Sequence, residues 1–133
     1  MEIRRLNRAV ALAASLWIGL FAVTAHAAEP KPVSKWRIAL NHTSDSDGAI
    51  TFRIAPAGKD AIDVETKIPR NTGENHAAQI LRDSLKASLG EGYHVEVDDG
   101  EDVLIKRRGD TPKFIVTMVS SSVTGLEVKV RKD

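Results

Sequence analysis

The sequence of 133 residues contains no cysteine. Small exported domains often use disulfides to supplement a modest hydrophobic core, and this chain cannot form any. The absence excludes thiol catalysis, and it also excludes the acylated cysteine by which bacterial lipoproteins are anchored. The fold must therefore be stabilised by packing.

Long apolar runs are scarce too, and the longest one lies close to the N-terminus. A basic head, an apolar run and a small-residue site follow one another there: Arg4, Arg5 and Arg8, then Ala9 to Val23, then Ala25-His26-Ala27. The run of 15 residues is shorter than the ~20 that cross a bilayer as a helix. This order is typical of a secretory signal peptide at residues 1–27 with cleavage after Ala27. We therefore expect a soluble periplasmic or secreted protein with no stable membrane anchor after cleavage.

The sequence beyond Ala27 lacks an excess of charge of either sign. Three arginines and one glutamate precede that point, so 16 of the 19 basic residues and 17 of the 18 acidic residues remain. A near-neutral surface lacks the positive field that binds phosphate backbones or anionic lipid, so we expect no nucleic acid partner. The 106 residues that follow Ala27 are enough for one compact domain, which we place at 36–133.

Apolar alternation predicts six or seven strands. The segment 28–35 is rich in proline and charge, so we expect it to be a flexible lead-in without core contacts. Period-two patterns predict strands at Trp36 to Leu40, Ile50 to Ile54, Ala61 to Ile68, Tyr93 to Val97 and Leu126 to Val130, and apolar runs predict strands at Val103 to Ile105 and Phe114 to Val119. Turn formers at 41–48 and 98–100 predict hairpins, and the apolar run that begins at Phe114 predicts a central strand covered on both faces.

One amphipathic helix is predicted from about Thr72 to Leu89, because apolar residues recur there at steps of three and four. Asn71 or Thr72 is the expected N-terminal cap, and Gly90 is the expected end. We therefore predict an α+β domain with a single antiparallel-rich sheet of six or seven strands. The helix packs on one face of that sheet, and the order is βββα followed by βββ or ββββ.

Two acidic turns contain residue types that suit a cation. Thr43-x-Asp45-x-Asp47-Gly48 overlaps the calcium-loop pattern, in which clustered oxygens bind a hard ion. The pattern's first Asp and its twelfth-position Glu are missing, and a solvated hairpin turn uses the same residue types. Residues 98–102 cluster four carboxylates in a second turn that permits the same two interpretations. We expect no cofactor, with calcium at Asp45 and Asp47 as the alternative.

The sequence contains histidines and serines, which many hydrolases use, but no catalytic sequence motif that includes them. The histidines His42, His76 and His94 have no metal-ligand spacing, and the serines at 120–122 lack a Gly-x-Ser-x-Gly elbow. A serine, a histidine and an acid that meet only in the folded chain are not excluded by the sequence. We therefore name no catalytic residue and keep a small hydrolase as an alternative.

Aromatic residues are few, at 5% of the chain. Trp36 and Tyr93 each begin a strand on its apolar face, so we expect them to pack in or beside the core. Aromatic residues with a polar group also anchor interfaces, and Trp36 is the better candidate because it follows the lead-in. The predicted interface residues are Trp36 together with Leu126, Val128 and Val130 of the last strand.

The central third of the chain has a recognisable spacing of apolar and turn-forming residues. It runs from Ile68-Pro69-Arg70-Asn71-Thr72-Gly73-Glu74-Asn75-His76-Ala77-Ala78-Gln79-Ile80 through Leu85 and Leu89 to Tyr93-His94-Val95-Glu96-Val97 and Val103-Leu104-Ile105-Lys106. This spacing resembles the strand, Thr-led helix and hairpin module common in phage tail and bacterial surface-assembly proteins. The resemblance implies a role in assembly or interaction and supplies no catalytic residue.

Together these patterns predict an exported, soluble, non-catalytic protein-binding or inhibitor module. Binding is expected through a sheet face or an edge strand, because open edges pair with extended segments of other proteins. A small secreted hydrolase and a calcium-dependent structural module are the alternatives. The identity of the protein partner and the oligomeric state are left open by the sequence.

Overall fold

The computed structural model describes residues 30–133, so the signal peptide predicted for residues 1–27 lies outside the described part of the chain. The elements in chain order are β1 (Lys35–Asn41), β2 (Gly48–Pro56), β3 (Ile62–Ile68), α1 (Glu74–Leu89), a short 3-10 helix (Gly90–Gly92), β4 (Tyr93–Asp98), β5 (Asp102–Arg107), β6 (Phe114–Ser121) and β7 (Glu127–Lys132). Within residues 30–133, no helix is long and apolar enough to cross a membrane.

The α+β class is confirmed, but the strands form two antiparallel sheets, with the orders β4-β5-β1-β7 and β3-β2-β6. The prediction of a single sheet is therefore wrong. β1 pairs with β5 and β7, whereas β2 pairs with β3 and β6. The predicted hairpin between the first two strands is also wrong, because residues 42–47 carry the chain from one sheet to the other. Alternation identifies a strand and its buried face, but it does not select the neighbouring strands.

The helix covers one side of the space between the two sheets. It packs mainly against β3 and β4, the strands that end the two sheets on that side. The buried side chains of the helix are Ala77, Ala78, Leu81, Leu85 and Leu89. Among the described elements no helix covers the opposite edges, β6 and β7.

The helix begins at Glu74, two residues later than predicted. The backbone N–H of Thr72 donates to the Ser44 hydroxyl at 2.8 Å, and Asn71 has a φ of 60°. These residues are therefore held in a non-helical conformation by the segment that joins β1 to β2. Gly73 is the N-cap and no side chain caps the helix, so the prediction of a cap at Asn71 or Thr72 is wrong.

Core contacts begin earlier than predicted. Val33 and Phe114 form an antiparallel bridge in which the backbone N–H of each donates to the carbonyl of the other at 3.0 Å. The Val33 side chain is partly buried against the core. The expectation that the whole segment 28–35 lacks core contacts is therefore wrong from Val33 onward. The Val33 side chain and its two backbone hydrogen bonds hold this end of the segment against the core.

The hydroxyl of Tyr93 is buried without a hydrogen-bond partner in the described residues. Its ring packs edge-on against Phe114, with the ring centroids 5.1 Å apart and the ring planes at 80°. Burial raises the pKa of this hydroxyl. An unpaired buried hydroxyl costs roughly 1 to 3 kcal/mol of stability.

Tyr93→Phe keeps the ring and removes the unpaired hydroxyl. We expect this change to raise the free energy of unfolding by about 1 kcal/mol, as measured by urea denaturation. Tyr93→Leu is the control and should lower it, because the edge-on aromatic contact is lost. A lower unfolding free energy for Tyr93→Phe than for the wild type would contradict the assignment of an unpaired hydroxyl.

Candidate functional site

Strand β6 forms an open edge of the three-stranded sheet. It pairs with β2 along its length, and only its first residue, Phe114, has a bridge on the other side, to Val33. Thr117 to Ser121 are exposed. The prediction of a central strand covered on both faces is therefore wrong.

The bridge to Val33 determines which backbone groups of β6 point away from β2. Phe114 directs both its N–H and its carbonyl to Val33, on the outer side. Successive residues of an antiparallel strand alternate between the two sides, so Val116 and Met118 direct their groups outward while Ile115 and Thr117 face β2. No strand within residues 30–133 pairs with the outward groups of Val116 and Met118.

Two apolar side chains lie exposed on this edge strand. Met118 is 43% exposed and Val119 is 47% exposed, and no other large hydrophobic side chain in residues 30–133 is exposed. The register between β2 and β6 shifts between Thr51 and Phe52, so Val119 has no paired residue on β2. Such a bulge interrupts the alternation of side chains, which accounts for two consecutive exposed apolar residues.

The β6 strand lacks the charged residues and the prolines that often protect an edge. Its sequence from Phe114 to Ser121 has no charged residue and no proline, whereas natural edge strands are commonly blunted by lysine, proline or short length. The free edge of the other sheet is β7, which includes four charged residues: Glu127, Lys129, Arg131 and Lys132. Of these two edges, β6 is therefore the better suited to pair with another strand.

The residues predicted for an interface lie near this edge and point inward. Trp36 is buried, as its expected core position requires, and its indole N–H donates to the carbonyl of Phe114 at 2.7 Å. Leu126 is buried, and Val128 and Val130 are partly buried against the core. Trp36 therefore supports the beginning of β6 from inside the protein. The exposed residues Met118 and Val119 were missed by the sequence patterns.

The two candidate calcium ligands lie in a segment that ties loops together. The Asp47 carboxylate accepts the backbone N–H of Arg70 at 2.7 Å, and the backbone N–H of Asp45 donates to the carbonyl of Thr124 at 2.7 Å. No group of three His, Cys, Asp or Glu residues in the described chain is arranged to hold a metal ion. Calcium binding at Asp45 and Asp47 thus stays a prediction, and the observed contacts are structural.

An arginine binds two of the four carboxylates in the acidic turn between β4 and β5. Arg37 bonds to Asp102 at 2.6 Å and to Asp98 at 3.0 Å, and its Nε donates to Asp133 at 2.9 Å. These carboxylates raise the pKa of Arg37 above its ordinary value. Hydrogen bonds from Lys35 and then Arg37 lower the pKa of Asp133 to about 2. Two of the turn's carboxylates are therefore occupied by a protein cation.

The three histidines of the described chain do not contact a serine that could act as a nucleophile. His42 and His76 line an open cavity of about 610 Å³ at the start of the helix, and Nε2 of His42 lies 3.7 Å from a carboxylate oxygen of Glu127. In residues 30–133, no hydrogen bond links a histidine ring to a serine or threonine hydroxyl. The Ser122 hydroxyl instead accepts the backbone N–H of Ala49 at 2.9 Å.

His94 belongs to an ion cluster on the outer face of the four-stranded sheet. The Arg108 guanidinium lies 2.9 Å from Nδ1 of His94, and because arginine can only donate, Nδ1 must accept. The proton is then on Nε2, which donates to Glu96 at 3.0 Å. Hydrogen bonds from Lys106 and then His94 lower the pKa of Glu96 from 4.5 to about 2.

This lowered pKa predicts an acid-sensitive contribution to stability. The Glu96 carboxylate binds a proton less readily in the folded protein than in the unfolded chain. Its contribution is therefore present above about pH 4.5 and is lost as the pH falls through about 2. We expect Glu96→Gln to lose less stability than the wild type between about pH 5 and pH 2, as measured by urea midpoints. Glu65→Gln on exposed β3 is the control, and equal losses in all three proteins would contradict the prediction.

Comparisons with known proteins give no assignment for this site. No protein-family profile matches the chain, and a search of curated proteins finds no match. The resemblance to phage tail and surface-assembly modules therefore stays a prediction.

Proposed function

We propose that this protein is an exported, non-catalytic binding module that takes up an extended segment of a protein partner along the outer edge of β6. One observation carries the proposal: no strand within residues 30–133 pairs with the outward backbone groups of Val116 and Met118, which lie next to the exposed side chains of Met118 and Val119. In strand addition, backbone hydrogen bonds supply affinity and alternate side chains supply specificity. An inhibitor that acts by strand addition uses the same edge.

The edge is held in a defined position before any partner arrives. β6 is paired with β2 from Phe114 to Ser121, and Phe114 is fixed by Val33 and by the indole of Trp36. A preformed edge reduces the entropy that association must overcome. The free part, Val116 to Ser121, spans about 20 Å at the usual rise of a strand, so it accommodates a partner segment of about six residues.

A binding role agrees better with the surface than the hydrolase alternative does. A hydrolase needs a concave pocket in which a nucleophile, a base and an acid converge. The cavity that His42 and His76 share is lined by Glu74 and by no serine of the described chain. The exposed apolar pair at the β6 edge is the feature expected of a contact surface.

Two lysine variants on one strand test the proposal. Met118→Lys places a charge at one of the two exposed apolar residues of the edge strand, whereas Thr117→Lys places the same charge on the other face of the strand, at a residue that is already polar and exposed. A C-terminally tagged full chain is expressed with its N-terminal segment, crosslinked in the exporting compartment and purified for mass spectrometry. We expect a saturable partner with the wild type and with Thr117→Lys, and a loss of at least about tenfold with Met118→Lys. Equal capture by both variants, or no partner for the wild type, would overturn the proposal.

A further inference from the structure

We infer that β6 also pairs with β6 of a second copy of this chain, antiparallel, so that the two three-stranded sheets become one continuous sheet. This inference rests on the proposed function of the β6 edge as a strand acceptor. It names one partner for that edge, namely an identical strand. A two-fold symmetric pair of this kind is closed, because each copy presents the same surface to the other.

The absence of charge on β6 favours an identical strand as the occupant. Like charges that face each other across paired strands are destabilising. Two β6 strands bring no charged side chains together, since Phe114 to Ser121 are all uncharged. A pair of β7 strands would instead bring together three basic residues, Lys129, Arg131 and Lys132, and one acidic residue, Glu127, from each copy. The helix packs against β3 and β4, so β6 is the edge that accepts its own copy at the lowest electrostatic cost.

The register of the pair follows from what occupies the two ends of β6. The outward groups of Phe114 are taken by Val33, so a second strand cannot begin there. Beyond Ser121 the chain turns away toward β7. A two-fold axis at Met118 pairs the outward backbone groups of Met118 with those of Met118 in the second copy, whereas Ser120, beyond the bulge, pairs with Thr51 of β2. In this register, Met118 and Val119 of one copy lie beside those of the other and shield each other from water in part.

The cysteine-free chain allows a clean test of this register. Directly opposite residues in antiparallel strands have Cα atoms about 4.5 to 5.5 Å apart, which lies within the range that a disulfide spans, about 4.4 to 6.8 Å. The full chain with the single change Met118→Cys should therefore form a disulfide-linked dimer under mild oxidation. Ser88→Cys on the exposed face of the helix is the matched control and should stay monomeric on a non-reducing gel.

The second measurement is the oligomeric state of the cysteine-free wild type, determined by analytical ultracentrifugation. We expect the wild type to form dimers as its concentration rises, and Val119→Lys to raise the dimer dissociation constant at least about tenfold because it places two lysines near the two-fold axis. A wild type that stays monomeric at about 100 μM, or a Ser88→Cys protein that crosslinks as readily as Met118→Cys, would overturn the inference.

Failure of the inference and failure of the proposed function are distinguishable. Suppose that the wild type is monomeric and captures a different protein, and that Met118→Lys no longer captures it. The edge then binds that protein as proposed, and self-pairing is refuted. If Met118→Cys crosslinks selectively and no other protein is captured, self-pairing stands and the proposed binding of another protein is refuted.

Discussion

Arg37→Met should lower the free energy of unfolding by about 3 kcal/mol, the largest effect expected from any single charge change in this fold. The side chains of Arg37 and Asp102 are 12% and 11% exposed, and their closest atoms are 2.6 Å apart. Removing the guanidinium leaves the Asp102 charge shielded from water with Asp98 and Asp133 nearby, and the exposed Arg131 guanidinium, 3.9 Å from Asp102, compensates for only part of the loss. The cost falls at the lower end for a broken buried pair because Lys35 still contacts Asp133 and Asp98 is partly exposed.

Two further variants separate the charge effect from the loss of packing. Arg37→Met combined with Asp102→Asn should recover part of the lost stability in urea denaturation, because the double variant no longer buries an unpaired charge. Arg53→Met is the exposed control, since Arg53 and Asp63 pair on the surface with side chains 48% exposed, and its urea midpoint should change little. If the double variant is no more stable than Arg37→Met, the unpaired charge is not the cause of the loss.

Gly125→Ala should be similarly costly, at about 2 to 5 kcal/mol. Gly125 has a φ of 83°, a conformation that alanine adopts at a cost of about 1 to 2 kcal/mol. A Cβ atom there would also lie 2.7 Å from the carbonyl oxygen of Thr43 and against the carboxylate of Asp45, and such overpacking costs about 1 to 3 kcal/mol more. This corner leads from β6 to β7, and it contacts the segment that joins β1 to β2.

Gly58→Ala is the matched control for the backbone conformation alone. Gly58 has a φ of 73°, and a Cβ added there meets no atom within 4 Å. We expect this variant to lose only about 1 to 2 kcal/mol in the same urea denaturation experiment. Equal losses for Gly125→Ala and Gly58→Ala would show that the close approach to Thr43 and Asp45 carries no energetic weight.

The positions of the strands and the helix could be predicted from the sequence, but the sheets could not. Ile38 shares one face of the predicted strand with Trp36 and Leu40, and its burial is confirmed. Its partners, Val103 on one side and Val130 on the other, lie far along the chain, and no local pattern selects them. The helix start was misplaced for a related reason, because Thr72 bonds to the distant Ser44 rather than capping the helix.

The prediction for β6 was wrong because an apolar run occurs both in strands buried on both faces and in edge strands that are exposed over part of their length. A run such as Phe114 to Val119 is typical of a strand buried on both faces, but here Phe114 and Val116 are buried while Met118 and Val119 are exposed. The bulge at Val119 and the bridge from Val33 to Phe114 produce this change, and neither has a sequence signature. The sequence did contain one indication of an exposed strand end: the run is followed by three serines at 120–122, which are polar and uncharged.

The amide hydrogens of four consecutive β6 residues test the central claim most directly. Hydrogen exchange by NMR on the dilute monomer should be slow at Ile115 and Thr117, whose N–H groups face β2, and fast at Val116 and Met118, whose N–H groups face outward. Binding of a second strand should slow exchange at Val116 and Met118. Protection of Val116 and Met118 equal to that of Ile115 and Thr117 in the dilute monomer, or no added protection in the bound state, would contradict the account.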